Sequence, residues 1–182
     1  MSNRNRTSIK YSALMATLFA VLLLVGCSQS PLEPTQSAEP AQPHVLSRSM
    51  SFGPGATLSP GAYHADAVIP GATGGRLELV DVILDVPAGA LDNDTTYSID
   101  IPDINVFYNE FGTDGLVFNV PVTVTMSYRG ADLSGVDESS IRIGWWDEDN
   151  LKWTDMVCTV DKVNQTVTGQ LHHFSAYALV SD

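Results

Sequence analysis

This 182-residue chain is predicted to be all-β: an antiparallel β-sandwich following a signal peptide and a disordered tether. Three observations carry that expectation. Apolar and polar residues alternate with period two in several short runs, and no stretch shows helical periodicity. Turn-forming residues separate those runs at short intervals. The N-terminus runs from basic to apolar to a cysteine, and a Pro- and Ser-rich stretch follows it.

Residues 1–26 read as a secretory signal. Arg4, Arg6 and Lys10 form a positive region, Ala13 to Val25 are apolar apart from Thr17, and small Gly26 precedes Cys27. The apolar stretch is too short for a transmembrane anchor, which needs ~20 residues to cross the hydrocarbon core. Leu24-Val25-Gly26-Cys27 resembles the bacterial lipobox, which implies that Cys27 is acylated, palmitate included, and becomes the first residue of the mature chain. Ser28 follows in place of Asp, which resembles the pattern that permits outer-membrane transport in Gram-negative cells. The expected location is therefore the bacterial cell envelope, with membrane attachment through N-terminal acyl chains.

Residues 27–49 read as the lipidated cysteine and its tether. Pro31, Pro34, Pro40 and Pro43 interrupt any apolar periodicity, and such a composition stays extended without packing a core. The folded domain is expected over 50–182, long enough for one hydrophobic core.

Within it, Leu77 and Leu79, then Val82, Leu84 and Val86, then Tyr97, Ile99 and Ile101 alternate with polar neighbours. Val120, Val122, Val124 and Met126 give the longest run, expected to face inward together. Ile141, Ile143 and Trp145 follow, then Val167, Gly169 and Leu171. Gly74-Gly75, Pro87-Ala88-Gly89, Asp92-Asn93-Asp94, Asp147-Glu148-Asp149-Asn150 and Asp161-Lys162-Val163-Asn164 supply the turns. Trp145-Trp146 and Trp153 flank the acidic turn and predict an aromatic hairpin.

Charge narrows the function classes. Once the signal is removed, six basic residues remain against 21 acids, for a formal charge of −15. Such a domain lacks the Lys and Arg that neutralise phosphates, so no nucleic-acid partner is expected. Net charge of this size also serves solubility. With Cys27 acylated, Cys158 has no cysteine partner, and in Met156-Val157-Cys158-Thr159-Val160 it reads as a small core residue.

Gly74-Gly75-Arg76-Leu77, followed by Leu84-Asp85-Val86-Pro87-Ala88-Gly89-Ala90-Leu91, resembles the ZU-five domain of zona occludens proteins, netrin receptors and ankyrins. Gly115 to Tyr128 is similar to that family's Phe-x-x-Pro-Val segment. The closing His173-Phe174-Ser175-x-Tyr177-x-Leu179 is similar to the last strand of bacterial domains of this kind. The resemblance covers roughly Ala65 to Val180 and implies a β-sandwich that acts as a scaffold or protein-interaction module. A protein or envelope partner is expected on that basis.

The sharpest chemical candidate is His173-Phe174-Ser175, because some members of that family cut their backbone between Phe and Ser. Ser175 Oγ would attack the Phe174 carbonyl, with His173 as general base, and the resulting ester would hydrolyse. The structural alternative has Phe174 in the core and its neighbours facing outward. Trp145, Trp146 and Trp153 suggest a third reading, a carbohydrate-binding module, since exposed aromatic faces make sugar platforms. No cofactor is expected. His172 and His173 are expected on opposite faces of a strand, where two imidazoles do not readily converge on one ion. Asp92-Asn93-Asp94 and the acidic turn at Asp147 offer hard oxygens for calcium but lack the twelve-residue calcium-loop spacing. Gly53-Pro54-Gly55-Ala56 and Gly71 to Gly75 lack the Lys-Ser/Thr ending of a phosphate loop. No nucleophile elbow is present, so no turnover of an external substrate is expected.

Overall fold

The structure is a computed structural model and describes residues 42–49 and 61–182. The signal peptide, the lipobox Leu24-Val25-Gly26-Cys27, most of the tether and the Gly53-Pro54-Gly55-Ala56 segment lie outside the described residues. Among the described residues the strands are β1 (His44–Val45), β2 (Tyr63–Ile69), β3 (Gly75–Leu79), β4 (Val82–Val86), β5 (Thr95–Ile101) and β6 (Tyr108–Gly112). They continue with β7 (Val117–Ser127), β8 (Arg142–Asp147), β9 (Lys152–Asp155), β10 (Cys158–Asp161), β11 (Thr166–His173) and β12 (Ala176–Ser181), and one 3₁₀ turn (Glu138–Ser140) precedes β8.

These strands form two antiparallel sheets. The larger runs β2-β5-β6-β12-β8-β9, with β1 also paired to β12, and the smaller runs β10-β11-β7-β4-β3. Period-two alternation puts Leu84, Ile99, Ile101, Val122, Val124, Ile143, Val167 and Leu171 between the sheets, where each is fully or nearly fully buried. The protein is thus the antiparallel β-sandwich that the alternation predicts.

The turn chemistry repeats. In the β8–β9 turn Asp147 accepts from the Asn150 backbone and side-chain amides at 3.1 and 2.8 Å, and Leu151 takes a φ of 51°. In the β10–β11 turn Asp161 accepts from the Asn164 amides at 3.0 and 2.6 Å, and Gln165 takes a φ of 56°. An Asp-x-x-Asn loop closed by one left-handed residue is an ordinary four-residue hairpin connection.

Three expectations need correction. The tether does not extend to residue 49: His44 and Val45 pair with Ser181 and Val180, Leu46 is buried, and the Arg48 amide donates to Asn105 O at 2.7 Å. The last strand pair, unseen along the sequence, captures this segment. Val120 faces solvent, at 41% exposure, because an irregularity in the β7–β11 register between Leu171 and His173 lets Phe118 take the inward position instead. His173 to Leu179 is not one strand either. The chain crosses from the smaller to the larger sheet at Phe174 and Ser175, ending β11 and starting β12.

Candidate functional site

The crossover places the residues of the self-cleavage candidate. Phe174 is fully buried, packed edge-on against Phe118 at 4.8 Å and Tyr97 at 5.4 Å. Its backbone is held on both sides, with its N–H donating to Leu116 O at 2.9 Å and its carbonyl accepting from Gly115 N–H at 3.1 Å. His173 Nδ1 lies 3.3 Å from that same carbonyl oxygen. The His173 carbonyl in turn accepts from the Tyr177 hydroxyl at 2.7 Å, and burial pushes that phenol's pKa upward, helped by the Asp114 charge.

No hydrogen bond joins His173 to the Ser175 side chain among the described residues. The imidazole contacts the carbonyl that would be attacked, a position suited to stabilising developing negative charge more than to removing the serine proton. Trp145 packs edge-on against the His173 ring at 5.2 Å, which fixes the ring's orientation. His172 is exposed while His173 is half-buried. Together with Trp145, Met156, Val157 and Tyr177 they line a groove of about 310 Å3.

The tryptophans divide between two faces. Trp145 follows Ile143 in facing the core side, while Trp146 projects from the outer face of the larger sheet opposite Trp153, its cross-strand partner. All three are half-buried. On the outer face the register aligns Tyr108, Ala178, Gly144 and Asp155 across β6, β12, β8 and β9. Small residues in the middle leave room, and the Trp153 ring lies over Gly144, where an added Cβ would sit 3.4 Å from Cε3. Trp153 thereby reaches Tyr108, with ring centroids 6.2 Å apart, and Trp146 packs on Trp153 at 5.3 Å. Ala178 is fully buried on this outer face without belonging to the inter-sheet core.

A groove of about 360 Å3 opens beside this aromatic cluster, between Tyr108 and Trp146, lined also by buried Phe111 and half-buried Ser175 and Ala176. Its rim carries Glu110, Asp114 and Glu148, and no basic side chain lines it. Glu110 accepts from the Tyr108 hydroxyl at 2.9 Å. Burial first, then that hydrogen bond and the charges of Glu110 and Glu148, push the Tyr108 phenol up to about 12. Sequence reasoning missed Tyr108 and Glu110. Tyr-Asn-Glu-Phe-Gly alternates, but too briefly to stand out from a loop.

The carboxylates considered for calcium are engaged elsewhere. Asp92 accepts from the Asn119 side chain at 3.1 Å, Asp94 from the Gly71 amide at 3.2 Å, and Asp147 from its own turn. Among the described residues no group of three metal-ligating side chains converges. Cys158 is a free thiol, half-buried against the core edge.

No family model matches this sequence, and no curated protein is similar to it in sequence.

Proposed function

We propose that this chain is a lipid-anchored cell-envelope protein whose β-sandwich is a non-catalytic binding module, with Tyr108, Trp146 and Trp153 as its binding face. The carrying observation is the cluster itself: three large aromatic side chains held on the outer face of a sheet over Ala178 and Gly144, beside a groove of about 360 Å3. Aromatic rings that stay partly solvated on a rigid sheet offer binding area at low conformational cost. The lipobox supports the anchoring, and the motif resemblance to ZU-five domains supports a role in binding over turnover. Two measurements test this reading. Cys27→Ser abolishes acyl labelling while the β domain stays folded, and crosslinking in the native membrane captures a partner that Trp153→Ala loses.

A second reading, self-processing between Phe174 and Ser175, is favoured by one observation: the Phe174 carbonyl oxygen meets both Gly115 N–H and His173 Nδ1. In this version His173 and Gly115 would steady the oxyanion as Ser175 Oγ attacks. A cleaved Ser175–Asp182 peptide would stay in place, because β12 is paired on both edges. Mass measurement under denaturing conditions is therefore required, and an intact chain after prolonged incubation removes this reading.

A further inference from the structure

We propose that the groove between Tyr108 and Trp146 takes an organic cation, an ammonium or guanidinium group held against the aromatic faces and paired with the rim carboxylates. This rests on the binding-module reading above and adds the ligand's chemical class. Three features of the groove point the same way.

First, its walls are π-systems. Tyr108 and Trp146 line it directly, and Trp153, on the same outer face, packs against both rings. A cation near the face of a tryptophan or tyrosine is attracted by the ring quadrupole, and the attraction grows when the site is partly desolvated. Second, its charge is one-sided. Glu110, Asp114 and Glu148 come from β6, the loop after it and the β8–β9 turn, so three separate elements converge on one opening. Their mutual repulsion is uncompensated by any basic side chain in the lining, and an entering cation relieves it.

Third, the hydrogen-bonding capacity is skewed. The three carboxylates only accept, the Tyr108 hydroxyl already donates to Glu110, and the other side-chain donors in the lining are the Ser175 hydroxyl and the Trp146 indole N–H. A sugar presents hydroxyls that both donate and accept, whereas an ammonium or guanidinium only donates. With three acceptor-only carboxylates in its lining, the groove favours the second pattern. Its volume accommodates a side-chain-sized group with part of the molecule that bears it. Two sources of such a group exist: a small soluble cation, or a Lys or Arg side chain on a basic segment of a partner protein.

The test uses the full-length lipidated protein in detergent. Methylammonium, a tri-lysine peptide and a neutral oligosaccharide are titrated separately, followed by tryptophan fluorescence and by calorimetry. Both cationic probes bind, the affinity falls as salt is raised, and the oligosaccharide is silent. Trp146→Ala weakens the cations about ten-fold, and Glu148→Gln about five-fold. Trp146→Phe, which keeps an aromatic face, recovers most of the loss and guards against misfolding as the cause. Tighter binding of tri-lysine assigns the site to a basic partner segment, and tighter binding of methylammonium assigns it to a small cation.

Oligosaccharide binding that Trp146→Ala abolishes, with no response to either cation, overturns the cation assignment and leaves the binding face intact. Silence of all three probes, together with membrane crosslinking that is unchanged in Trp153→Ala, overturns the assignment and the binding-face reading together.

Discussion

A Cβ added to Gly74 would stand 2.1 Å from the carbonyl oxygen of Val86. Gly74 also has a φ of +68°, a backbone conformation that disfavours any side chain. The same junction has Gly89 N–H donating to Gly71 O at 2.8 Å, so the Gly-Gly and Pro-x-Gly motifs are two faces of one contact between the β2–β3 and β4–β5 connections. Gly74→Ala is expected to destabilise the domain by about 2–4 kcal/mol, combining left-handed strain with a backbone clash. Gly135→Ala is the control. Gly135 has a φ of +80° with nothing within 4 Å of the added Cβ, so its loss stays near ~1 kcal/mol. Urea midpoints for the two variants, at constant slope, measure the difference.

That junction shows how far the sequence could be read. The glycine motif marks a place where two loops meet, and the spacing revealed its existence but not its partner. Alternation works for Val82–Val86 and Tyr97–Ile101 because each strand has one face in the core and one outside it. It fails at Val120, where the register irregularity exchanges the inward position with Phe118. It also fails for His44–Arg48, a segment whose Pro- and Ser-rich surroundings hide that only Leu46 and Arg48 are buried. The Trp146–Trp153 pair was legible because one turn joins its strands. Tyr108 joins it only through the order β6-β12-β8-β9, which depends on contacts between distant segments.

Arg48 and Asp81 form a buried ion pair at 3.0 Å, with the guanidinium 4.2 Å from the centroid of the Phe107 ring. Arg48 joins the N-terminal segment to the β3–β4 turn. Burial lifts the Asp81 pKa from 3.8 to about 6, with the Arg48 charge opposing that rise, and burial also lowers the Arg48 pKa. The folded state therefore binds more protons than the unfolded state between about pH 4 and 6, so this group's contribution falls as pH rises through that window, by about 3 kcal/mol. Asp132, Asp137, Asp147 and Asp161 slope the other way: turn hydrogen bonds lower their pKa values, and their contribution is lost as pH falls. They cancel when Asp81→Asn is subtracted from the parent. The difference curve should descend from pH 4 to 6, and a flat curve overturns the argument. Arg48→Ala, which strands the buried carboxylate, costs about 3–5 kcal/mol at pH 7.

His64 sits between two carboxylates, with Nδ1 2.6 Å from Asp100 and Nε2 3.1 Å from Asp66. The Asp100 hydrogen bond is the leading cause of a pKa raised above 6.5, followed by the Asp66 hydrogen bond. A raised histidine pKa means that the pair's contribution is fully present below pH 6.5 and is lost as pH rises through the folded-state value. An NMR titration of the His64 ring should give a midpoint above 6.5 in the parent. Asp100→Asn should bring that midpoint down, and a midpoint that stays put would show that the Asp100 contact does not form in solution.

Phe174 separates the structural role of the crossover from the chemical one. Its ring is enclosed by Tyr97, Phe111 and Phe118 at centroid distances of 5.4, 6.1 and 4.8 Å, and it seals the point where the chain passes between sheets. Phe174→Ala removes that volume and should cost about 3–5 kcal/mol, seen as a lower urea midpoint. Ser175 is only half-buried, so Ser175→Ala should leave stability within about 0.5 kcal/mol of the parent. Because Ser175→Ala keeps the fold and removes the only nucleophile the acyl shift can use, it isolates the chemistry. If the parent chain shows a Ser175–Asp182 fragment under denaturing conditions and Ser175→Ala does not, the crossover is a processing site. If neither does, the crossover is held by the packing of Phe174 and performs no cleavage.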